Sequence, residues 1–580
     1  MSEEFSTQKQ KGKVNVMTSK NESFKIEYAP IAPISQSKYP GFRPSQKILK
    51  KDSVIKPGRM PLPCDVLLEQ DVAIILRDGT TIYTDIYRPV NEAAKIPAII
   101  VWAPYGKQGT WFDYDSFVDN RMGIHPDWED GLNEFEGPNP SWWVNHGYAV
   151  LQADPRGIFN SEGNVAAWGT QEGEDEYDFI EWTAKQPWCN GKIGLTGNSW
   201  LSMAMWNVSS LNPPHLTAMA PWEGTLDNYR EDSCKGGIPD VDFCTGIFTH
   251  IYGNNYYEDF PAMVRKYPLF NAYWETKCPD VSKVTIPTYV AASYTNMLHT
   301  CGTFDGFNQL ASKEKWLRIH TTHEWHDYYT PENQEDLRRF FDHYLKDIDN
   351  GWENTPRVRM SVLDAGHTNI LYRAESSFPL KRQKLKKFYL DASDCSMQSS
   401  LPEKESSIKY DSQTDGVSFT FTVPQDIEID GYIKLHLFVA AESNNDADIF
   451  AYVRKQDSQG NILRIPIING QCAEGASGRL RVSMREEDPQ KTTEERPYHT
   501  FTHSQPVKPC EIIPINIEFW PTALKYHAGE KIEVFINGNE LLKHPEFPGM
   551  PSVTTINKGN HIIYTGGRYL SYIQLPLVKA

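Results

Sequence analysis

The stretch Lys192-Ile-Gly-Leu-Thr-Gly-Asn-Ser-Trp-Leu-Ser202 contains a short apolar run, a tight turn and the start of a second apolar segment. The run predicts a buried strand, and Met203-Ala-Met-Trp206 can continue as a helix. A strand, a Gly-x-Ser turn and a helix are the setting in which a serine hydroxyl reaches the edge of an α/β sheet. The helix N-terminus there offers N–H groups to an oxyanion. The stretch therefore predicts that Ser199 is a nucleophile.

Strand and helix patterns alternate on both sides of this motif. They are a hairpin over 71–89, apolar runs at 98–103, 148–153, 216–221 and 288–293, and helical spacing over 172–186 and 335–345. This alternation predicts βαβ units and a doubly wound, mostly parallel sheet. We expect the catalytic α/β domain to comprise 66–229 and 284–355.

Three other segments differ in character from the α/β pattern. Residues 230–283 are rich in aromatic side chains and predict a helical cap inserted between core strands. Residues 356–580 show short β-rich runs between turn signals, which predicts a C-terminal β-sandwich. Residues 1–65 are polar and lack sustained periodicity, so we interpret them as an N-terminal arm.

Composition excludes several classes of partner. The chain has 580 residues, and 58 basic against 75 acidic side chains give a net charge of −17, which disfavours nucleic acid and anionic membranes. No apolar run approaches the roughly 20 residues of a membrane span, and no secretory signal is visible. Nine scattered cysteines without a Cys-x-x-Cys pair indicate reduced thiols and a cytoplasmic location.

Three stretches match a known family in the family's own order. They are Ala103-Pro-Tyr-Gly-Lys107, Asp154-Pro-Arg-Gly-Ile-Phe-Asn-Ser-Glu-Gly163 and the segment 186–200 that ends at the Gly-x-Ser motif. On these motifs the chain resembles the cocaine esterase-like α/β hydrolases, a group that includes X-Pro dipeptidyl peptidases. The resemblance implies an α/β-hydrolase domain with a helical cap and a C-terminal jelly-roll, galactose-binding-like domain. It also implies a serine hydrolase with the triad in the order Ser, acid, His.

The resemblance assigns an oxyanion hole to two residues. It implies that the backbone N–H of Trp200 and the hydroxyl of Tyr105 stabilise the oxyanion beside Ser199. The residues themselves agree, since Tyr105 follows the predicted strand at 98–103, at the end of an α/β sheet where sites cluster. A tyrosine that only packs at the strand end is the alternative.

The acid position departs from the family pattern. The family places an aspartate after the strand at 288–293, and the aligned residue here is Asn296. An asparagine can orient an imidazole but cannot stabilise imidazolium with a full charge. We therefore expect Asn296 to contact the catalytic histidine, and Asn296→Asp to strengthen that base. Asp305 is the alternative acid.

The next loop, 320–327, offers three histidines. His323 is closest to the family position, while His320 and His326 are the alternatives. If Glu324 or Asp327 faced His323, Asn296 would not be needed as its partner. The His323-x-x-His326 spacing lacks a third metal ligand, so neither metal nor cofactor is expected.

The sequence thus predicts a serine hydrolase that cleaves a small-molecule carboxylic ester or amide through an acyl-enzyme. An X-Pro dipeptidyl peptidase or an amino-acid amide or ester hydrolase is the alternative. It would need cap carboxylates for a substrate ammonium, and the candidates are Glu223, Glu231, Asp232 and Asp240. A catalytically degenerate binding protein is a third reading, because position 296 lacks an acid and Leu201 replaces the usual second elbow glycine. The natural substrate and the oligomeric state, a homodimer among the options, stay open.

Overall fold

The alternating strands and helices assemble around one eleven-stranded sheet. The structure is a computed structural model that describes residues 15–17, 23–90, 94–108, 112–466, 472–541 and 553–579. In chain order the sheet contains β1 (Ser45–Leu49), β2 (Val66–Ile75), β3 (Thr81–Pro89), β4 (Ile96–Trp102), β5 (Ala149–Asp154), β6 (Cys189–Asn198), β7 (Leu216–Trp222), β8 (Thr288–Ala292), β9 (Lys315–Ile319), β10 (Val358–Val362) and β11 (Ile370–Glu375).

Across the sheet the strands lie in the order β11-β10-β9-β8-β7-β6-β4-β5-β3-β2-β1. From β10 to β5 each strand runs parallel to its neighbours, and antiparallel strands complete both edges. Every residue of β5 and β8 is buried, as expected for parallel strands covered on both faces. The predicted doubly wound, mostly parallel α/β fold is confirmed.

Helices cover the sheet and form much of the inserted segment. They are α1 (Pro140–Asn145), α2 (Thr170–Ala184), α3 (Trp200–Ser210), α4 (Asp242–Phe248), α5 (Phe260–Lys266), α6 (Ala272–Glu275), α7 (Thr300–Gln309), α8 (Glu324–Tyr329) and α9 (Pro331–Lys346). Within the predicted cap, 230–283, only short helices and two short strands form. One of these strands, Tyr256–Glu258, pairs with Tyr28–Pro30 of the N-terminal segment, which therefore lies on the cap.

Strand pairing crosses two predicted boundaries. The sandwich was expected to begin at residue 356, and β10 and β11, which lie beyond this boundary, pair with the catalytic sheet up to residue 375. A short apolar run indicates a strand but not which sheet the strand joins. Within the predicted arm, 1–65, strand β1 pairs with β2 at the sheet edge, while residues 1–14 and 18–22 lie outside the described residues.

The C-terminal region is β-rich, as predicted, and its strands are almost all paired antiparallel. Its main strands are Lys384–Asp391, Ser396–Gln398, Ser406–Asp411, Gly416–Thr422, Ile427–Gly431, Lys434–Ala441, Asp448–Gln456, Ala476–Arg481, Ile513–Glu518, Thr522–Tyr526, Lys531–Asn537, Asn560–Thr565 and Tyr572–Lys579, with two-residue strands at Ile465–Pro466 and Cys472–Ala473. Backbone hydrogen bonds from Leu363 to Ala523 and from Lys525 to Leu363 tie this region to the end of β10. The β-region thus packs directly against the catalytic domain.

Candidate active site

Ser199 occupies the turn between β6 and α3 in a strained backbone conformation. Its φ of 53° and ψ of −117° lie in a region that non-glycine residues rarely adopt, at a cost of about 1–3 kcal/mol. The backbone N–H of Ser199 donates to the carbonyl of Glu223, 2.7 Å away, which holds the turn to the end of β7. Such a strained residue at a strand–helix junction is typical of a functional site rather than of an ordinary helix cap.

Two glycines make room for this turn. A Cβ on Gly197, whose φ is 147°, would lie 2.3 Å from the Leu201 side chain. A Cβ on Gly224 would lie 2.4 Å from the Ser202 hydroxyl. The turn at Ser199 therefore forms although residue 201 is leucine, because Gly197 before the serine and Gly224 on the facing loop leave room for it.

Tyr105 lies against Ser199, the candidate nucleophile. Its phenol hydrogen-bonds with Ser199 and with Glu136, and its ring is buried. Burial raises the pKa of Tyr105 well above its ordinary value, and Glu136 raises it further, while the hydrogen bond with Ser199 acts in the opposite direction. Tyr105 therefore stays protonated and can act as a hydrogen-bond donor at neutral pH.

A narrow cavity of about 10 Å³, room for roughly one water molecule, opens beside Ser199. Its lining combines Tyr105 with side chains from α3, from the inserted segment and from the loop after β8: Trp168, Trp200, Met203, Thr225, Asp232, Phe243, Ile247, Leu298 and His299. Burial raises the pKa of Asp232 to about 6. The cavity thus has a mainly apolar wall with one carboxyl group and one imidazole.

Asn296 contacts the neighbouring carboxylate Glu324. Its Nδ2 donates to Oε2 of Glu324, and its Oδ1 accepts the backbone N–H groups of Leu298 and His299. The amide thus has its donor on a carboxylate and its acceptor on its own loop. That Asn296 orients His323 stays a prediction.

The three histidines of the loop after β9 have different partners. His320 pairs through Nε2 with Glu223, 2.9 Å away, and through Nδ1 with the carbonyl of Thr322. His323 caps α8, since its Nδ1 accepts the N–H of Trp325 at 3.3 Å. His326 contacts the carbonyl of Gly123 through Nδ1.

A fourth histidine, which the sequence analysis did not select, lies at the cavity. His299 is buried, lines the cavity with Ser199 and has its Nε2 3.9 Å from Oε1 of Glu324. The signal was present in the sequence, since His299 follows Asn296 by three residues in the same loop. The sequence analysis considered only the histidines of the loop after β9.

The other candidate acids are used elsewhere. Asp305, the alternative acid, forms an ion pair with Arg496 of the β-rich region, and Asp327 pairs with Arg318 through both oxygens. Asp240 pairs with Arg479. Of the four carboxylates considered for a substrate ammonium, only Asp232 lines the cavity, since Glu231 accepts the N–H of Leu226 and Glu223 faces His320.

One group of potential metal ligands occurs among the described residues, away from Ser199. Ligand atoms of Asp364, His367 and His527 lie within 4.8 Å of one another. The Nζ of Lys455 lies 2.8 Å from Asp364 and 2.9 Å from Glu530, so a protein cation already neutralises these carboxylates. The cluster is satisfied as a network of ion pairs.

A serine presented on this kind of turn at the edge of an α/β sheet is the nucleophile arrangement of serine hydrolases, and the protein is a serine hydrolase. Family models agree: the X-Pro dipeptidyl-peptidase (S15 family) model matches residues 78–258, and the model of that family's C-terminal non-catalytic domain matches residues 350–574. A solved CocE/NonD family hydrolase from Staphylococcus aureus is 34% identical over 94% of this chain and 98% of that chain, with a TM-score of 0.85. The chain belongs to the CocE/NonD family of hydrolases.

More distant relatives extend this result. The Rhodococcus cocaine esterase is 31% identical over 160 residues, which are 28% of this chain and only 24% of that enzyme. A putative serine esterase from Mycobacterium bovis is 21% identical over 87% of this chain and 95% of its own length. The predicted resemblance to cocaine esterase-like hydrolases is confirmed. Within the described part of the chain, no helix is both long enough and apolar enough to cross a bilayer.

Proposed function

We propose that the protein hydrolyses small carboxylic esters or amides through an acyl-enzyme on Ser199. The observation that carries this proposal is the strained turn of Ser199, whose side chain hydrogen-bonds with a protonated, buried phenol. Ser199 Oγ attacks the acyl carbon, the alcohol or amine leaves, and water then releases the acid. No step needs a cofactor.

The oxyanion hole consists of the Tyr105 hydroxyl and the backbone N–H of Trp200. Trp200 is the first residue of α3, where the helix itself supplies no acceptor for the N–H. Its indole Nε1 donates to Glu172 at 2.7 Å, which fixes this residue at the start of the helix. The Tyr105 hydroxyl, which already hydrogen-bonds with Ser199 and Glu136, would turn toward the acyl oxygen as negative charge develops there.

The cavity beside Ser199 favours substrates with a small, apolar acyl group. Its volume of about 10 Å³ and the aromatic side chains of Trp168 and Phe243 exclude a bulky acyl chain. Phe243 and Ile247 belong to the inserted segment, which we therefore propose as the part that selects the acyl group. We expect activity to fall as the acyl chain of the ester lengthens.

The test is active-site labelling with a fluorophosphonate combined with hydrolysis of acyl esters of increasing length. Wild type should be labelled on Ser199, and Ser199→Ala should lose labelling and activity. Tyr105→Phe should lower kcat by about 10²-fold with little change in KM. An unlabelled wild type would instead support a degenerate binding protein and overturn the proposal.

One observation favours an amino-acid ester or amide hydrolase as a second candidate. Asp232 lines the cavity with Ser199, and burial, opposed by the nearby Lys235, raises its pKa to about 6. A substrate ammonium would pair with this carboxylate. Asp232→Asn should then raise KM for an alanine ester much more than for the matched propanoate ester. Equal effects on the two esters would exclude this candidate.

A further inference from the structure

We propose that Glu172, in the first turn of α2, is a positioning residue that holds Trp168 in the wall of the cavity and thereby limits the length of the acyl group. This inference rests on the proposed function, because it concerns the acyl group of the same reaction. It adds a residue of the catalytic domain, Trp168, to the inserted segment as a determinant of that group. The sequence analysis selected neither Glu172 nor Trp168 as part of the site.

One buried carboxylate binds two tryptophans that line the cavity at Ser199. Oε1 of Glu172 accepts the indole N–H of Trp200 at 2.7 Å, and Oε2 accepts the backbone N–H of Trp168 at 2.5 Å. The rings of the two tryptophans pack against each other, with their centroids 4.5 Å apart. Each oxygen of Glu172 therefore holds one of two adjacent residues of the cavity wall.

The position of Trp168 depends on its backbone contact. Its φ of 51° lies in the left-handed region, which a bulky non-glycine residue rarely adopts. Among the described residues, the Trp168 indole N–H has no hydrogen-bond partner, so no polar contact of the ring itself fixes its orientation. Apart from Trp200, the ring packs against Phe248 and Phe260 of the inserted segment, at centroid distances of 5.5 and 5.0 Å. The hydrogen bond to Glu172 thus supplies a directional restraint that ring packing does not.

The residues beside Trp168 are bound to the end of the inserted segment. Nζ of Lys277 donates to the carbonyl of Ala167 at 2.7 Å. A Cβ on Gly169 would lie 2.8 Å from the carbonyl oxygen of Thr276, so the chain approaches the inserted segment closely there. Because the chain is fixed on both sides of Trp168, loss of the carboxylate contact should displace the tryptophan rather than the whole loop.

Stabilisation of α2 is the simpler role for Glu172, and it makes a different prediction. An acidic side chain in the first helical turn stabilises the helix through its dipole, so loss of this role lowers stability without changing acyl selectivity. Weaker support of Trp200 beside the oxyanion hole should slow the reaction of short and long esters alike. Displacement of Trp168 instead favours a longer acyl group over a shorter one. The measured quantity is therefore the selectivity ratio, defined as kcat/KM for a butanoyl ester divided by kcat/KM for the acetyl ester of the same alcohol.

The protonation state of Glu172 gives a second way to test this role. Burial raises the pKa of Glu172 to about 7, although the hydrogen bonds with Trp200 and Trp168 and the charge of Lys277 act in the opposite direction. Protonation turns one carboxylate oxygen into a hydrogen-bond donor, so the group can no longer accept both N–H groups. The selectivity ratio should therefore rise as pH falls through about 7. The charged and titratable groups that face Glu172 are Asp175 and Glu176 of α2 and, from the inserted segment, Lys277 with its ion-pair partner Glu258.

The first experiment measures the selectivity ratio at pH 8.5 in Trp168→Ala, Glu172→Gln and the double variant. Glutamine keeps the size of the side chain but offers one acceptor oxygen to two N–H groups. We expect Trp168→Ala to raise the ratio at least about tenfold and Glu172→Gln to raise it at least about threefold. In the Trp168→Ala background, Glu172→Gln should change the ratio by less than about twofold, because the side chain it positions is absent. An unchanged ratio in Glu172→Gln, or an equal increase with and without Trp168, overturns the proposal.

Glu176→Gln is the matched control. Glu176 lies one turn further along α2 and is buried, but it is outside the cavity lining. Its replacement should leave the selectivity ratio within about twofold of wild type. A change as large as that in Glu172→Gln would show that any buried carboxyl group of α2 has this effect, and would overturn the assignment.

The second experiment follows the selectivity ratio of wild type from pH 8.5 to pH 5.5, and it holds even if Glu172→Gln folds poorly. Both esters react with the same free enzyme, so the ionisation of the nucleophile and its base cancels in the ratio. The ratio should rise as pH falls in wild type and stay constant in Glu172→Gln. Asp232 also lines the cavity and has a pKa of about 6, so Asp232→Asn is the control and should keep the rise. A constant ratio in wild type, or a rise that disappears in Asp232→Asn, overturns the proposal.

Failure of this inference and failure of the proposed function give different results. If a fluorophosphonate labels Ser199 and wild type hydrolyses acetyl esters, the function stands. A selectivity ratio that responds neither to Glu172→Gln nor to pH then overturns the inference alone. If wild type is neither labelled nor active on any acyl ester, the proposed function fails first and the inference fails with it.

Discussion

Two histidine–carboxylate pairs lie within reach of the nucleophile turn, and they differ in what surrounds them. His320 and Glu223 are 2.9 Å apart, are almost completely buried, and have the second ring nitrogen of His320 engaged by a carbonyl. His299 and Glu324 are 3.9 Å apart, and His299 also lines the cavity at Ser199. We refer to His320 and Glu223 as the closed pair and to His299 and Glu324 as the open pair.

The two pairs are also physically connected. The backbone carbonyl of Glu223 holds Ser199, and the next residue, Gly224, donates its N–H to Thr303 one turn into α7 from His299. The closed pair can thus support the turn that carries Ser199. Variants that break one pair at a time show whether each pair contributes to stability or to activity.

The largest expected effect comes from breaking the closed pair. Glu223→Gln leaves the backbone contact to Ser199 but removes the charge that faces His320, so it should lower the free energy of unfolding by about 3 kcal/mol. The kcat of the folded enzyme should stay within about threefold of wild type. Chemical denaturation and active-site titration measure the two quantities. A loss of kcat without a loss of stability would assign catalysis to this pair instead.

The fold followed from the sequence more completely than the site did. Apolar runs such as 98–103 and 288–293 predicted the buried strands, because parallel strands covered on both faces consist of nearly uninterrupted apolar residues. Gly197-Asn198-Ser199 predicted the nucleophile turn because the geometry depends on local residues. By contrast, the sequence did not indicate that β10 and β11 pair with the catalytic sheet, since a strand pattern does not specify its neighbour.

The base and acid could not be derived from spacing alone. Loops after β8 and β9 meet at one edge of the sheet, so either can provide the imidazole or the carboxylate, and only side-chain directions decide between them. Asn296 was identified as unusual, but the sequence did not predict its contact with Glu324. A search of both loops for any histidine and carboxylate, without a fixed order, would have added His299 to the residues considered.

Asn296→Asp tests the surroundings of Glu324 in the open pair. The sequence alone predicted a stronger base, whereas the structure places residue 296 against the Glu324 carboxylate, so two acids would compete for one site. We expect kcat at pH 7 to fall by about tenfold. Steady-state kinetics of Asn296→Asp and Asn296→Ala measure this, and a faster Asn296→Asp enzyme would restore the original expectation.

The hydrogen bond between the two pairs should have a smaller effect. Thr303→Val removes the acceptor of the Gly224 N–H while keeping the side-chain shape, so unfolding free energy should fall by about 1–2 kcal/mol. Because His299 and Ser199 are both tied to this contact, kcat should fall a few-fold as well. Thr303→Ser, which keeps the hydroxyl, is the control. A Thr303→Val enzyme with unchanged kcat would show that the pairs act independently.

The smallest expected effect is the pH dependence of stability contributed by the closed pair. Burial lowers the pKa of His320, but Asp327 and Glu223 outweigh burial and Arg318, so the pKa in the folded protein is raised above its ordinary value of 6.5. A raised pKa stabilises the fold fully below pH 6.5 and loses this contribution as pH rises through the folded pKa. Burial also raises the pKa of Asp232 to about 6 and that of Glu172 to about 7. The stability that these two acids contribute to the fold therefore also falls as pH rises. The informative quantity is therefore a difference: from pH 6 to pH 9 the thermal midpoint should fall further in wild type than in Glu223→Gln. Parallel curves would mean that His320 and Glu223 do not form a charged pair in the folded enzyme.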